Sequence, residues 1–205
     1  MLCKLPIVGV FGAGTSVDAE RMRFARGVGA MVAGLGAHLL TGGGYGVMAA
    51  AAEGFVAVAG RPGASIGIVP RDPQGPFDQP NRDPDGRVYP NPYVEIAIHT
   101  PLPPHVDDWR TTPARNHVNV LSADAIIALP GGVGTENELD MAAEYRGERR
   151  RPRAERRTIL VGPADEFAPN HRELFVHGAT LEEAERHLRR VLAARGLARA
   201  ALGAS

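Results

Sequence analysis

Short apolar runs alternate with longer amphipathic stretches along the chain. Ile7–Phe11, His38–Thr41, Ala64–Val69, Tyr93–His99, Ala125–Leu129 and Thr158–Val161 are bounded by glycine, proline or polar residues and are too short for typical helices. They predict strands. Ala125–Leu129 is apolar at every position, the pattern of a strand covered on both faces. Helices are predicted over Ala19–Leu35, over Val47–Ala59, from Pro113 through Ser122, from a Thr135 cap through about Tyr145, and over the amphipathic Leu181–Arg195. Strand and helix in alternation imply an α/β chain with a doubly wound parallel sheet flanked by helices. A length of 205 residues suits a single domain with a real core. In such a sheet, the loops after Phe11, Thr41 and Leu129 open on one edge, where ligands collect.

Those three loops are rich in glycine. The first reads Gly12-Ala13-Gly14-Thr15-Ser16, the second Gly42-Gly43-Gly44-Tyr45-Gly46-Val47-Met48, and the third Pro130-Gly131-Gly132-Val133-Gly134-Thr135. Backbone N–H groups without side chains in front of them, followed by a helix N-terminus, form a cradle for an anion. Each loop also has a plainer reading. Thr15 or Ser16 would cap the first helix, and the glycines around Gly44 would serve tight packing of strand on helix. Thr135 with Glu138 spells a capping box. Three glycines in the third loop are more than a helix start needs, which favours a ligand there.

Thr112 and Pro113 fit an N-cap and first helical position, which puts Arg115 in the first turn at the carboxyl edge of the sheet. A cation there works against the helix dipole, so Arg115 calls for a partner. A ligand and an ordinary ion pair both satisfy that need. Asn119 and Ser122 share the helix. Thr180 and Glu183 give a further capping box ahead of the last helix.

Two stretches interrupt the pattern. Arg71–Pro92 carries six of the chain's prolines among Asp, Asn and Gly, and predicts an excursion loop, either a lid or a mobile insertion. Arg146–Arg157 contains seven arginines with no interleaved aromatics, and predicts a solvated loop rather than a nucleic-acid patch.

Composition removes several chemistries. Net charge is zero, and aromatics make up 5%, which argues against nucleic acid and against an anionic membrane as partner. Cys3 is the single cysteine and the histidines are scattered, so neither a disulfide nor a metal site is expected. Lys4 is the single lysine, ahead of the first strand, so no Walker-A lysine and no Schiff-base lysine for pyridoxal phosphate is at hand. The first glycine loop misses the dinucleotide fingerprint, because Val17 holds the third glycine's place and no acidic residue follows Thr41. No cofactor is expected. Nothing in the chain is apolar for long enough to span a bilayer, and a soluble cytoplasmic protein is the expectation.

Three phrases taken together resemble a known family: Thr41-Gly-Gly-Gly-Tyr-Gly-Val-Met48, Ala114-Arg115-Asn116, and Leu129-Pro-Gly-Gly-Val-Gly-Thr-Glu-Asn-Glu138. In that order they are similar to the LOG (Lonely Guy) family, from about Ile7 to Val161. Its members, often labelled lysine decarboxylases, include cytokinin riboside 5′-monophosphate phosphoribohydrolases. The resemblance implies a Rossmann-like fold and a homodimer. It implies that Gly131, Gly132, Gly134 and Thr135 hold a 5′-phosphate, and that Arg115 and Glu138 work at the N-glycosidic bond. Pro130, Asn116, Met48 and the glycines Gly42, Gly43, Gly44 and Gly46, which lie in the matching phrases, complete the implied nucleotide site, and the first loop adds Gly12, Gly14, Thr15 and Ser16 on its own pattern. The hydrolases usually carry Arg-Lys where this chain has Arg115-Asn116. That pair, with Asn91-Pro-Tyr-Val-Glu-Ile-Ala-Ile98, is more similar to the molybdenum cofactor carrier branch, which binds a pterin-type nucleotide. Two functions follow as expectations: hydrolysis of a nucleoside 5′-monophosphate to base and ribose 5-phosphate, or non-catalytic binding of such a ligand.

Overall fold

The predicted strands fall into one sheet. In the computed structural model, which describes residues 4–15, 17–70, 81–83, 85–103 and 106–197, the strands are β1 Ile7–Phe11, β2 His38–Thr41, β3 Ser65–Pro70, β4 Asn81–Arg82, β5 Val88–Tyr89, β6 Ile96–Thr100, β7 Ala125–Ala128, β8 Thr158–Val161 and β9 Val176–Gly178. The helices are α1 Ala19–Gly34, α2 Val47–Val56, α3 Arg115–Ser122, α4 Val133–Tyr145, α5 Pro169–Leu174 and α6 Leu181–Ala194. Seven strands form a parallel sheet in the order β6-β3-β2-β1-β7-β8-β9. Strands β2, β3 and β6 build out on one side of β1, and β7, β8 and β9 on the other, so the order switches between β1 and β7, where Val8–Phe11 pairs with Ala125–Ala128. That switch point is where a doubly wound sheet leaves a crevice.

Alternation along β7 explains the two cores. Ala125 and Ile127 face a cluster that includes Val28, Val32 and Phe55 of the α1–α2 layer and Leu188 of α6. Ile126 and Ala128 face the opposite cluster, which includes Val120, Leu139, Met141 and Phe175. Helices α1 and α2 cross at glycines. A methyl group added at Gly29 would lie 1.8 Å from the Ala51 carbonyl oxygen, and one at Gly54 would lie 2.0 Å from that of Arg26. Gly29→Ala therefore forces two backbones apart, at a cost of about 2 kcal/mol. Urea unfolding should show the loss as a lower midpoint with little change in slope.

Several boundaries move, each for a local reason. Tyr93 and Val94 do not join the sheet edge, because Asn91 folds back onto the Gly43 loop and Val94 donates its N–H to Asn91, whereas Glu95 already bonds to Ser65 O of β3. Helix α1 is capped by Asp18, which accepts from Arg21 N–H at 2.8 Å, rather than by Thr15; Ser16 lies outside the described residues. Thr112 is not a cap either. It closes an Asp108 turn, while α3 starts from Ala114, whose N–H is accepted by His117 Nδ1 at 3.0 Å. Thr180 caps α6 as expected, and Glu183 turns back to the Ala179 N–H. Helix α5 and strand β9 were not expected.

The excursion after β3 is only partly described: 71–80 and 84 lie outside the described residues. Its described part forms a two-stranded antiparallel ribbon, β4–β5, rather than a plain loop. The arginine run is likewise not simply solvated. Arg146 is buried and donates to the carbonyls of Val120, Ala123 and Asp124. Arg153 donates to Phe175 and Arg156 to Leu174. Glu148, fully buried, accepts from the Arg157 N–H and the Thr158 hydroxyl. These side chains close carbonyl ends left open by short elements, a structural task that arginine's fork suits.

Candidate functional site

At the carboxyl edge of β1 and β7 lies a cavity of about 660 Å³, within the range of small-molecule sites. Its walls come from the loop after β1 (Gly12–Thr15), the start of α2 (Met48), the start of α3 (Arg115, Asn116) and the first turns of α4. The α4 start is not the expected capping box. Gly132 is the N-cap and Thr135 is the third helical residue, with its N–H on Gly132 O at 2.9 Å. Glu138 therefore has no capping role. It sits one turn further on, 7% exposed, and its Oε1 accepts from Asn119 Nδ2 at 2.8 Å.

Glycines at this edge divide into two kinds. Some let the loops close on one another. A methyl group at Gly12 would strike Val47, one at Gly46 would lie 2.3 Å from Ala13 O, and one at Gly131 would lie 2.2 Å from Thr135 Oγ1. Gly46 also takes φ +61°, a left-handed conformation that suits glycine. Others face the cavity: among the described residues, chain neighbours and their own helix aside, Gly132 and Gly134 have no atom within 4 Å of such a methyl, and Gly14 has only Met48. With the N–H groups of the first turn of α4 pointing the same way, this open stretch is suited to an anion.

Gly42, Gly43 and Gly44 are placed differently. They do not line the cavity, because the protein's own side chains occupy the space beside them. Arg115 Nη1 donates to Gly42 O at 2.8 Å and is 3.5 Å from Ile68 O. Tyr89 donates its hydroxyl to the same Gly42 oxygen, and Asn91 Nδ2 donates to Gly43 O and Gly44 O. Arg115 thus finds a partner for its ill-placed charge in backbone carbonyls, an option beyond the expected ligand or carboxylate. Its Nε is buried and has no hydrogen-bond partner among the described residues.

Burial dominates the electrostatics of Glu138. It pushes the carboxyl up to about 7, against the opposing pull of the Arg115 charge and the Asn119 hydrogen bond. Burial also raises the Tyr89 phenol, so it stays protonated and donates at neutral pH. Asn116, buried, directs Nδ2 to Gly134 O at 3.4 Å. Asp107 and Val106 also line the cavity and carry no motif that would have marked them; Asn137, a variable position inside the third phrase, lines it too. Among the described residues no group of three or more His, Cys, Asp or Glu is arranged to hold a metal ion, and no helix is long and apolar enough to cross a membrane.

A parallel sheet with helices on both faces, and a crevice at its switch point, defines a Rossmann-like α/β protein. The chain belongs to the SLOG cluster4 family, whose model it matches over residues 5–148. It is 33% identical over 139 residues to an uncharacterized protein of Archaeoglobus fulgidus, covering 68% of this chain and 74% of that one. It is 34% identical over 146 residues to a cytokinin riboside 5′-monophosphate phosphoribohydrolase of Mycobacterium tuberculosis, covering 68% of this chain and 65% of the relative. The molybdenum cofactor binding protein of Rippkaea orientalis superposes with a TM-score of 0.67 at 27% identity, over 92% of this chain and 98% of that one. The likeness to the Lonely Guy family, with features of the molybdenum cofactor carriers, is thereby upheld.

Proposed function

We propose that this protein hydrolyses the N-glycosidic bond of a nucleoside 5′-monophosphate. Water adds at C1′, the C1′–N bond breaks, and the products are the free base and ribose 5-phosphate. The observation that carries this reading is one cavity holding both a buried carboxyl poised near neutrality and an open helix start suited to a phosphate. Cleavage passes through an oxocarbenium-like state that an ionised carboxylate stabilises, and the same carboxylate can take a proton from the attacking water. Glu138 has that role. Arg115 orients the ribose and phosphate beside it, while Gly14, Gly132, Gly134 and Thr135 surround the ester. The phosphoribohydrolase relative supports the reaction class. The test is incubation with AMP and measurement of adenine; a correctly folded sample that releases no base from any common monophosphate ends this proposal.

One observation favours a second reading, binding without turnover. Asn116 stands where the hydrolases usually place a lysine, and its amide is spent on Gly134 O. A carrier of a pterin-type nucleotide would use the same crevice, in keeping with the Rippkaea orientalis neighbour. Mass spectrometry of co-purifying small molecules separates the two: a retained pterin or intact nucleotide favours the carrier.

A further inference from the structure

The ribbon after β3 reaches the site. Val88 O accepts from Tyr45 OH at 2.8 Å, and the Arg87 guanidinium lies over the Tyr45 ring at 4.0 Å. Asn91, 1% exposed, gives its N–H to Gly43 O at 2.8 Å and its amide to Gly43 O and Gly44 O. Between these anchors, the Tyr89 hydroxyl lands on the carbonyl oxygen that also receives Arg115 Nη1. Gly42 permits this, since a methyl group there would lie 1.8 Å from that Nη1. A carbonyl with two lone pairs can serve both donors at once. The guanidinium is then fenced between the Gly42 carbonyl, the Ile68 carbonyl and the phenol.

We propose that Tyr89, delivered by the β4–β5 ribbon, is a positioning residue that holds Arg115 toward Glu138. The ribbon is then a working part of the site rather than a surface insertion. This inference rests on the reading of Arg115 and Glu138 as the working pair. Tyr89 acts on Glu138 only through the guanidinium. A long arginine side chain has many rotamers open to it, so a second donor on its acceptor carbonyl and a wall at its flank limit where the charge can go.

The experiment is a double-mutant cycle read on the carboxyl of Glu138 itself, by carbon-13 NMR titration of glutamate-labelled protein, with E138Q assigning the signal. The groups acting on that carboxyl are Arg115 and Asn119 from α3 and Tyr89 from the ribbon, and Asp107 lines the same cavity. R115A should raise its titration midpoint by roughly one pH unit, since an opposite charge is lost. Y89F, which removes one oxygen and keeps the ring, should raise it by a smaller amount. In the R115A background, Y89F should change nothing. A wild-type midpoint in Y89F overturns the proposal, as does an equal shift in both backgrounds. Y89A serves as control: a role confined to ring packing predicts a shift in Y89A and none in Y89F. Adenine release from AMP is followed in the same proteins. A silent wild type would retire the hydrolase reading, while the titration would still decide the part played by Tyr89.

Discussion

Replacing Glu138 with glutamine is expected to lower turnover by about 10²–10⁴-fold and, at neutral pH, to make the protein more stable. Both effects come from one cause. The carboxyl titrates near 7 in the folded chain because burial disfavours its charge, against 4.5 as its ordinary value. A proton is therefore bound more tightly in the folded state than in the unfolded one. The stability linked to that proton is present in full below 4.5 and is lost as pH rises through 7. Above pH 7 the wild type carries an ionised, buried carboxylate at a cost of about 3 kcal/mol, from roughly 1.4 kcal/mol per pH unit. Glutamine keeps the shape and the hydrogen bond to Asn119 without the charge. The two proteins should be equally stable near pH 4 and differ most at pH 8, as urea unfolding at the two values would measure. Turnover should show the opposite trend. In the proposed reaction the ionised form takes the proton from water, so the rate should climb through about pH 7 in the wild type.

The family resemblance marks Glu138 in the sequence, but residue pattern alone does not, because it offers the same glutamate a capping task. Thr135 and Glu138 stand three apart, as in a capping box. In the structure the helix begins earlier, at Val133, because Gly132 can cap without a side chain. That shift places Thr135 against Gly131 and sends Glu138 inward to Asn119. The strands were legible because burial on both faces demands continuous apolar runs, and β1, β2 and β8 fall on their predicted residues. Helix α5 and strand β9 were not, since their residues carry little periodic apolar signal and their backbone ends are closed by distant arginines. The same physics hid the role of the arginine run. Nothing local tells which carbonyl, twenty residues away, a guanidinium will reach.

The glycine loops show the limit most sharply, and they lead to the last expectation. Gly42 and Gly132 read alike in sequence, as small residues in a cradle. Gly132 opens onto the cavity, where the first turn of α4 faces it, whereas Gly42 opens onto Arg115. Alanine at Gly42 would meet the far end of a flexible side chain, so the fold should persist, but the guanidinium must leave the Gly42 carbonyl. A displacement of about 1 Å in such a group costs about 10²-fold in rate. Alanine at Gly132 meets no atom of another described segment, yet its methyl would stand where the proposed ester would approach. The two substitutions should therefore separate in steady-state kinetics with AMP: Gly42→Ala lowers kcat with a near-normal KM, and Gly132→Ala raises KM with kcat largely kept. Identical effects from both would mean that the second glycine loop holds the ligand directly after all, with Arg115 moving aside to admit it.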